Sequence, residues 1–143
     1  PHASTPRGRA RGPGGPPQAD AVTEADWLTF LGAYPNLIFS FVGHSHENRV
    51  RYLEPPTAGR ALWEVMTSAL ADFPHQLRIV EIWDQDNGWL SLRATSVDFA
   101  AFGDPAATEG RELGTLEYVA GWTSAHAPGT LDDRNVELWI ERP

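Results

Sequence analysis

Apolar residues recur at helical spacing in one part of this chain and at strand spacing in several others. Thr23 begins a segment typical of a helix, with acidic residues in its first turn. Its apolar stripe consists of Trp27, Leu28, Phe30, Leu31 and Tyr34. Pro35 ends this helix, and the nearly uniform apolar run 37–42 that follows predicts a strand covered on both faces.

Alternation of apolar and polar residues predicts further strands downstream. Residues 76–84 and 88–97 both alternate, and Asn87-Gly88 between them predicts a tight hairpin turn. The remaining predicted elements are strands at 49–53, 61–66 and 136–140 and a helix at 109–125. This order of elements is typical of an α/β or α+β fold.

Composition separates the beginning of the chain from the rest. Residues 1–20 are rich in proline, glycine and arginine, which predicts a flexible segment without a core of its own. Residues 21–143 contain enough apolar residues for one modest domain. The chain has no cysteine, which excludes disulfides and thiolate metal sites.

The charge of the chain restricts its partners. The formal net charge is −8, and residues 1–20 hold three of the eleven basic residues but only one of the nineteen acids. The remainder is therefore strongly acidic and would repel a phosphate backbone, so nucleic acid is not an expected partner. No apolar run is long enough to span a bilayer, and we expect a soluble protein, either cytoplasmic or exported.

The candidate chemistry lies directly after the strand at 37–42. Gly43 is expected to let the backbone turn. His44 and His46 follow, separated by one residue. Ligands gather at the carboxyl edge of sheets that carry helices on their faces, and neutral imidazoles bind Zn, Fe, Mn and Ni. The spacing suits two ligands of one metal or ligands of two adjacent metals. It also occurs in surface turns that bind nothing.

The stretch Gly43-His44-Ser45-His46 resembles the Gly-His-x-His motif of calcineurin-like metallophosphoesterases. Segments 62–65, 72–81 and 133–138 are similar to the C-terminal region of one bacterial branch of that superfamily. The resemblance implies the C-terminal part of a four-layer α/β/β/α sandwich. It also implies a metal-dependent hydrolase of phosphoric esters, a phosphodiesterase or phosphatase. Its cofactors would be two divalent ions (Mn, Fe, Zn or Ni), with His44 on one and His46 on the other.

Of the other metal-binding elements of that superfamily, Asp-x-His and Gly-Asn-His do not occur in the sequence, and no Gly-Asp precedes the Gly-His-x-His stretch. We therefore interpret residues 21–143 as a fragment that is inactive alone, and its expected partners are a phosphoester substrate and the rest of its own catalytic domain. His2 stands at about the separation expected for one further histidine ligand, but it lies in the proline-rich segment and is not assigned as a ligand. An alternative function is that of a non-catalytic, β-rich interaction module.

Several other residues are given structural roles. His75 is expected to be structural or at the rim of the site, and His126 is expected to have no role. Residues 84–88 resemble a calcium loop only superficially and are interpreted as the hairpin turn. Glu64, Glu81 and Asp98 are expected on solvated strand faces, and the tryptophans are expected in the core, although Trp89 lies beside the predicted hairpin turn.

Overall fold

The computed structural model describes residues 22–143. The predicted flexible segment 1–20, including His2, lies outside the described residues. The elements in chain order are α1 (Glu24–Gly32), β1 (Phe39–Val42), β2 (Arg49–Leu53), β3 (Leu62–Met66), β4 (Gln76–Asp84), β5 (Trp89–Asp98), α2 (Pro105–Val119), a 3-10 turn (Leu131–Asp133) and β6 (Val136–Glu141). The mixed α and β class expected from the sequence is confirmed.

The first sheet has the strand order β1-β3-β2. β1 runs parallel to β3, with Val42 opposite Met66, while β2 runs antiparallel to β3, with Arg49 opposite Met66. The carboxyl ends of β1 and β3 therefore lie at the same edge of the sheet. The loops that leave these two strands meet at that edge.

The second sheet, β4-β5-β6, is antiparallel throughout. The predicted hairpin joins β4 to β5, and the Gln85 N–H donates to the Trp89 carbonyl at 3.0 Å. Positive φ angles occur at Asp86 (54°) and Gly88 (89°). The hairpin prediction is therefore confirmed, with a three-residue loop in place of a two-residue turn on Asn87 and Gly88.

The core lies between the two sheets and beneath α1. Phe39 and Val65 of the first sheet pack against Leu92 and Leu138 of the second. On the opposite face of the first sheet, α1 contributes Leu31 to a smaller cluster. α1 begins as predicted, since the Asp26 N–H donates to the Thr23 side chain and the Thr23 N–H donates to the Asp26 side chain.

Two predicted elements have different bounds in the structure. α2 begins at Pro105, because the Asp104 side chain accepts hydrogen bonds from two N–H groups of the first turn and proline suits the first helical position. It ends well before residue 125. β1 begins only at Phe39, and Phe41 is 52% exposed because β1 is an edge strand. The expectation that both faces of this strand are covered is therefore wrong at Phe41.

Burial also corrects two expectations about side chains. Glu64 is fully buried in the central strand β3, where it pairs with Arg51 (Nη2–Oε1, 2.7 Å) instead of facing solvent. The tryptophans are mostly outside the core, and the exposed ones are Trp83, Trp89, Trp122 and Trp139. Strand alternation alone predicts neither the burial of Glu64 nor the exposure of these tryptophans, because it does not say which face of a strand another layer covers.

No helix formed by residues 22–143 combines the length and the apolar character needed to cross a membrane.

Candidate functional site

The loop at residues 43–48, which we call the histidine loop, leaves β1 at its carboxyl end. His44 and His46 are both exposed there. The expected role of Gly43 is wrong: a Cβ at this residue would contact no atom within 4 Å, and its φ is not positive. The left-handed residues are the histidines themselves, with φ of 82° at His44 and 56° at His46.

The histidine loop is anchored at Ser45, between the two histidines, and at Asn48, its last residue. The Ser45 hydroxyl donates to the sulfur of Met66, which is buried at the end of β3, at 3.0 Å. Asn48 is also buried, and its backbone N–H donates to the Ala127 carbonyl at 3.1 Å. The residue between the two histidines is therefore fixed to the sheet, and the end of the loop is fixed to the segment 124–129.

The Asn48 side chain connects the histidine loop to the second sheet. Its Nδ2 donates to Gln76 Oε1 at 2.7 Å, and its Oδ1 accepts from the Ser68 N–H at 3.2 Å. The same Oδ1 accepts from Arg78 Nη2 at 3.1 Å. Asn48 thus satisfies buried donors and acceptors that would otherwise lose their partners on leaving water.

Arg78 and Asp133 stand behind Asn48. Arg78 Nη2 donates to the Asp133 carbonyl at 2.7 Å. Burial lowers the pKa of the Arg78 guanidinium, and the charge of Asp133 opposes that effect. Burial would raise the pKa of the Asp133 carboxyl, but hydrogen bonds from Thr130 and the Val50 N–H, together with the charge of Arg78, outweigh it. The pKa of Asp133 therefore lies below its usual range.

Asp72 is a site residue that the sequence reasoning did not single out. Its Oδ2 contacts Nδ1 of His46 within hydrogen-bonding distance, and the two side chains are 32% and 47% exposed respectively. Asp72 lies in the loop that leaves β3, while His46 lies in the loop after β1. The parallel pairing of β1 and β3 is the signal that would have found this contact, because it brings the two loops to one edge.

A cavity of about 780 Å³ lies beside the carboxyl-terminal half of the histidine loop. Its walls include Glu47, Arg49 and Tyr118, together with residues from the segment 125–133. Glu47 accepts a hydrogen bond from the Ser124 hydroxyl at 2.7 Å. The cavity therefore offers space and charges of both signs directly next to the loop that carries the histidines.

The two other described histidines lie in different surroundings. His75 is buried, and its Nδ1 lies 2.9 Å from the Leu70 carbonyl, while α2 passes over it at Gly114. His126 is exposed and lines the cavity described above. The structural role expected for His75 agrees with this burial.

The described residues supply few donors for a metal ion. Within residues 22–143, no three His, Cys, Asp or Glu side chains lie close enough together to hold one. The edge of the first sheet brings His46 and Asp72 together, and His44 lies two residues before His46 in the histidine loop. These are fewer donors than the roughly four to six that a divalent ion needs.

In comparisons with known proteins, no family model matches the chain, and no curated protein matches it either.

Proposed function

We propose that this chain supplies the C-terminal metal ligands of a metal-dependent hydrolase of phosphoric esters. The observation that carries the proposal is the backbone of the histidine loop. Both histidines of the Gly-His-x-His stretch adopt left-handed conformations at the carboxyl edge of the parallel strands β1 and β3. Unfavourable backbone conformations of this kind concentrate at functional sites.

The proposed cofactors are two divalent ions (Mn, Fe, Zn or Ni), with His44 on one and His46 on the other. When bound, such ions would lower the pKa of the attacking water and neutralise charge on the phosphoryl group. The chain itself would contribute neutral imidazoles and the cavity beside the histidine loop as space for the substrate. The remaining ligands would come from the rest of the same catalytic domain.

The corresponding fold would be a four-layer α/β/β/α sandwich, of which this chain forms the C-terminal part. The arrangement of layers supports this proposal. α1 covers one face of the first sheet, and the two sheets enclose the core. The outer face of the second sheet carries apolar side chains that are about half-exposed, namely Leu77, Ile79, Trp83 and Trp139. A further layer would bury them.

The test compares the 143-residue chain with the full-length protein, meaning the polypeptide whose gene contains this sequence. Elemental analysis and hydrolysis of a generic phosphodiester are measured on both. We expect an active, metal-containing full-length protein and an inert chain that binds metal weakly. His44→Ala and His46→Ala should each reduce full-length activity by more than the roughly 10–100-fold caused by losing an outer-shell partner.

Glu109→Ala is the control, because Glu109 is exposed on α2, outside the motif, and does not line the cavity. Its activity should stay near that of the wild type. Strong metal-dependent turnover by the 143-residue chain would contradict the proposal that the remaining metal ligands come from the rest of the catalytic domain. An inactive full-length protein without bound metal would contradict the proposed enzymatic function.

A non-catalytic interaction module is the second candidate function, and the half-exposed aromatic residues on the outer sheet face favour it. Trp83 and Trp139 are each more than 40% exposed on that face, and aromatic residues are enriched in protein interfaces. The gene sequence upstream separates the two candidates. If it lacks Asp-x-His and Gly-Asn-His elements, the enzyme loses its remaining ligands and the module is favoured.

A further inference from the structure

The contact between His46 and Asp72 determines which nitrogen of His46 is free. A carboxylate only accepts hydrogen bonds, and a neutral imidazole carries one proton, on either Nδ1 or Nε2. Because Asp72 Oδ2 contacts Nδ1, the proton must be on Nδ1 for the contact to be a hydrogen bond in the neutral state. The lone pair of Nε2 is then available to a ligand.

We propose that Asp72 is a positioning residue that holds His46 in the Nδ1–H tautomer, so that Nε2 is the nitrogen that binds metal. This inference rests on the proposed metal-binding function of His46. Carboxylates that accept from the second nitrogen of a ligating histidine fix its ring orientation and raise its basicity. Asp72 would fix the orientation of the His46 ring in this way from a loop that is distant in sequence from the motif.

The loop that carries Asp72 is held in place independently of His46. The Asp72 carbonyl accepts from the His75 N–H at 2.7 Å, and His75 is buried. Phe73 stacks on Tyr118 of α2 with ring centroids 4.3 Å apart. Asp72 therefore approaches His46 from a fixed position, and the contact joins two anchored loops.

The alternative is an ion pair formed only when His46 is protonated, without a preferred tautomer of the neutral ring. The two interpretations predict different proton positions when the imidazole is neutral. An isolated histidine side chain favours the proton on Nε2, so a neutral His46 with its proton on Nδ1 requires a specific acceptor. Asp72 is the acceptor that the structure assigns.

The experiment uses the 143-residue chain with ¹⁵N-labelled histidine and long-range ¹H–¹⁵N correlation spectra at alkaline pH. Wild-type His46 should carry its proton on Nδ1. Asp72→Ala should move it mainly to Nε2, and Asp72→Asn should do the same with little change of shape, because the asparagine amide can donate its NH2 to Nδ1. Glu109→Ala, which removes an exposed carboxylate from α2, should change nothing, and His126 should be unaffected in every variant.

The second measurement is the affinity for Mn²⁺ and Zn²⁺, followed through the same His46 nitrogen signals in the chain and by titration of the full-length protein. Asp72→Ala and Asp72→Asn should each weaken binding about 10–100-fold, and Glu109→Ala should not weaken it. The amide spectrum of the β4–β5 hairpin reports whether each variant is folded.

The positioning role is overturned if wild-type His46 carries its proton on Nε2, or if Asp72→Ala leaves the tautomer unchanged. The proposed function fails in a different way. In that case Asp72 controls the tautomer as expected, but neither ion perturbs His46 in the chain or in the full-length protein. That result would show an orienting hydrogen bond that serves no metal, and it would overturn the inference that Nε2 is a metal ligand.

Discussion

At the scale of single residues, His44 and His46 are notable for their backbone. A side chain at positive φ is unfavourable, with a cost of order 1–3 kcal/mol at each strained residue. The neighbouring Gly43 does not use the freedom that glycine provides. Asp86 also has a positive φ, but it lies in a hairpin turn that requires one. His75 has a positive φ of 59° as well, but it is a single buried residue. The histidine loop is distinguished by two such residues with exposed imidazole side chains beside a sheet edge.

Asp133 makes a pH-dependent contribution to stability. Its pKa is lower in the folded chain than usual, so its charged form stabilises the fold. This contribution is complete above the usual carboxyl pKa of the unfolded chain and is lost as the pH falls through the lower folded value. We expect Asp133→Asn to reduce the free energy of unfolding by about 1–3 kcal/mol near neutral pH, because it weakens hydrogen bonds to a charged group. Urea denaturation at several pH values measures this.

The neighbouring Asp132 provides the control for Asp133. It is exposed in the same 3-10 turn, so Asp132→Asn should change the free energy of unfolding by less than about 0.5 kcal/mol. The difference between wild type and Asp133→Asn should also shrink in acid. A difference that stays constant down to the lowest pH would contradict the role of the charge.

At the scale of elements, the sequence predicted the features that depend on a few neighbouring residues, namely a helix start and a hairpin turn. The capping box at Thr23 and the turn at Gly88 define their elements within a few residues, and both are confirmed. The helix cap at Asp104 is a local signal too, but the predicted helix at 109–125 did not include it. The burial of Glu64 and the approach of Asp72 to His46 depend on strand order, which pattern alone does not specify.

The packing of α2 on His75 gives a prediction about two glycines of the same helix. A Cβ at Gly114 would overlap the His75 ring, whereas a Cβ at Gly110 would meet no atom within 4 Å. Alanine is favoured over glycine by about 1 kcal/mol within a helix. Gly110→Ala should therefore raise the free energy of unfolding by up to that amount. Gly114→Ala should lower it by about 1–3 kcal/mol, because the buried ring cannot move away freely.

Thermal and urea denaturation of both variants measure these effects, and a double variant tests the cause. Replacing His75 by alanine should reduce the cost of Gly114→Ala, since the overlapping ring is then absent. If Gly114→Ala stabilises the chain as Gly110→Ala does, α2 does not pack on His75 as closely as described.

At the scale of the whole molecule, the two faces of the second sheet differ in their surroundings. The inner face contributes Leu92 and Ala94, both fully buried, to the core. On the outer face, Ile79 is 54% exposed and Trp139 is 45% exposed. Exposed apolar patches of this kind mark surfaces that associate with another layer or another molecule. In the proposed four-layer sandwich, the covering layer would belong to the same domain.

The 143-residue chain should therefore self-associate through the outer face of the second sheet, whereas the full-length protein should not use this face. Sedimentation velocity over a range of concentrations measures the association. Ile79→Glu should weaken it about tenfold or more, because burying an isoleucine contributes about 1.5–3 kcal/mol and each tenfold change in affinity corresponds to about 1.4 kcal/mol. Leu116→Glu is the matched control, since Leu116 is 64% exposed but lies on α2. Two results would contradict association through this sheet face. One is a chain that stays monomeric at all concentrations, and the other is an association that Leu116→Glu weakens and Ile79→Glu does not.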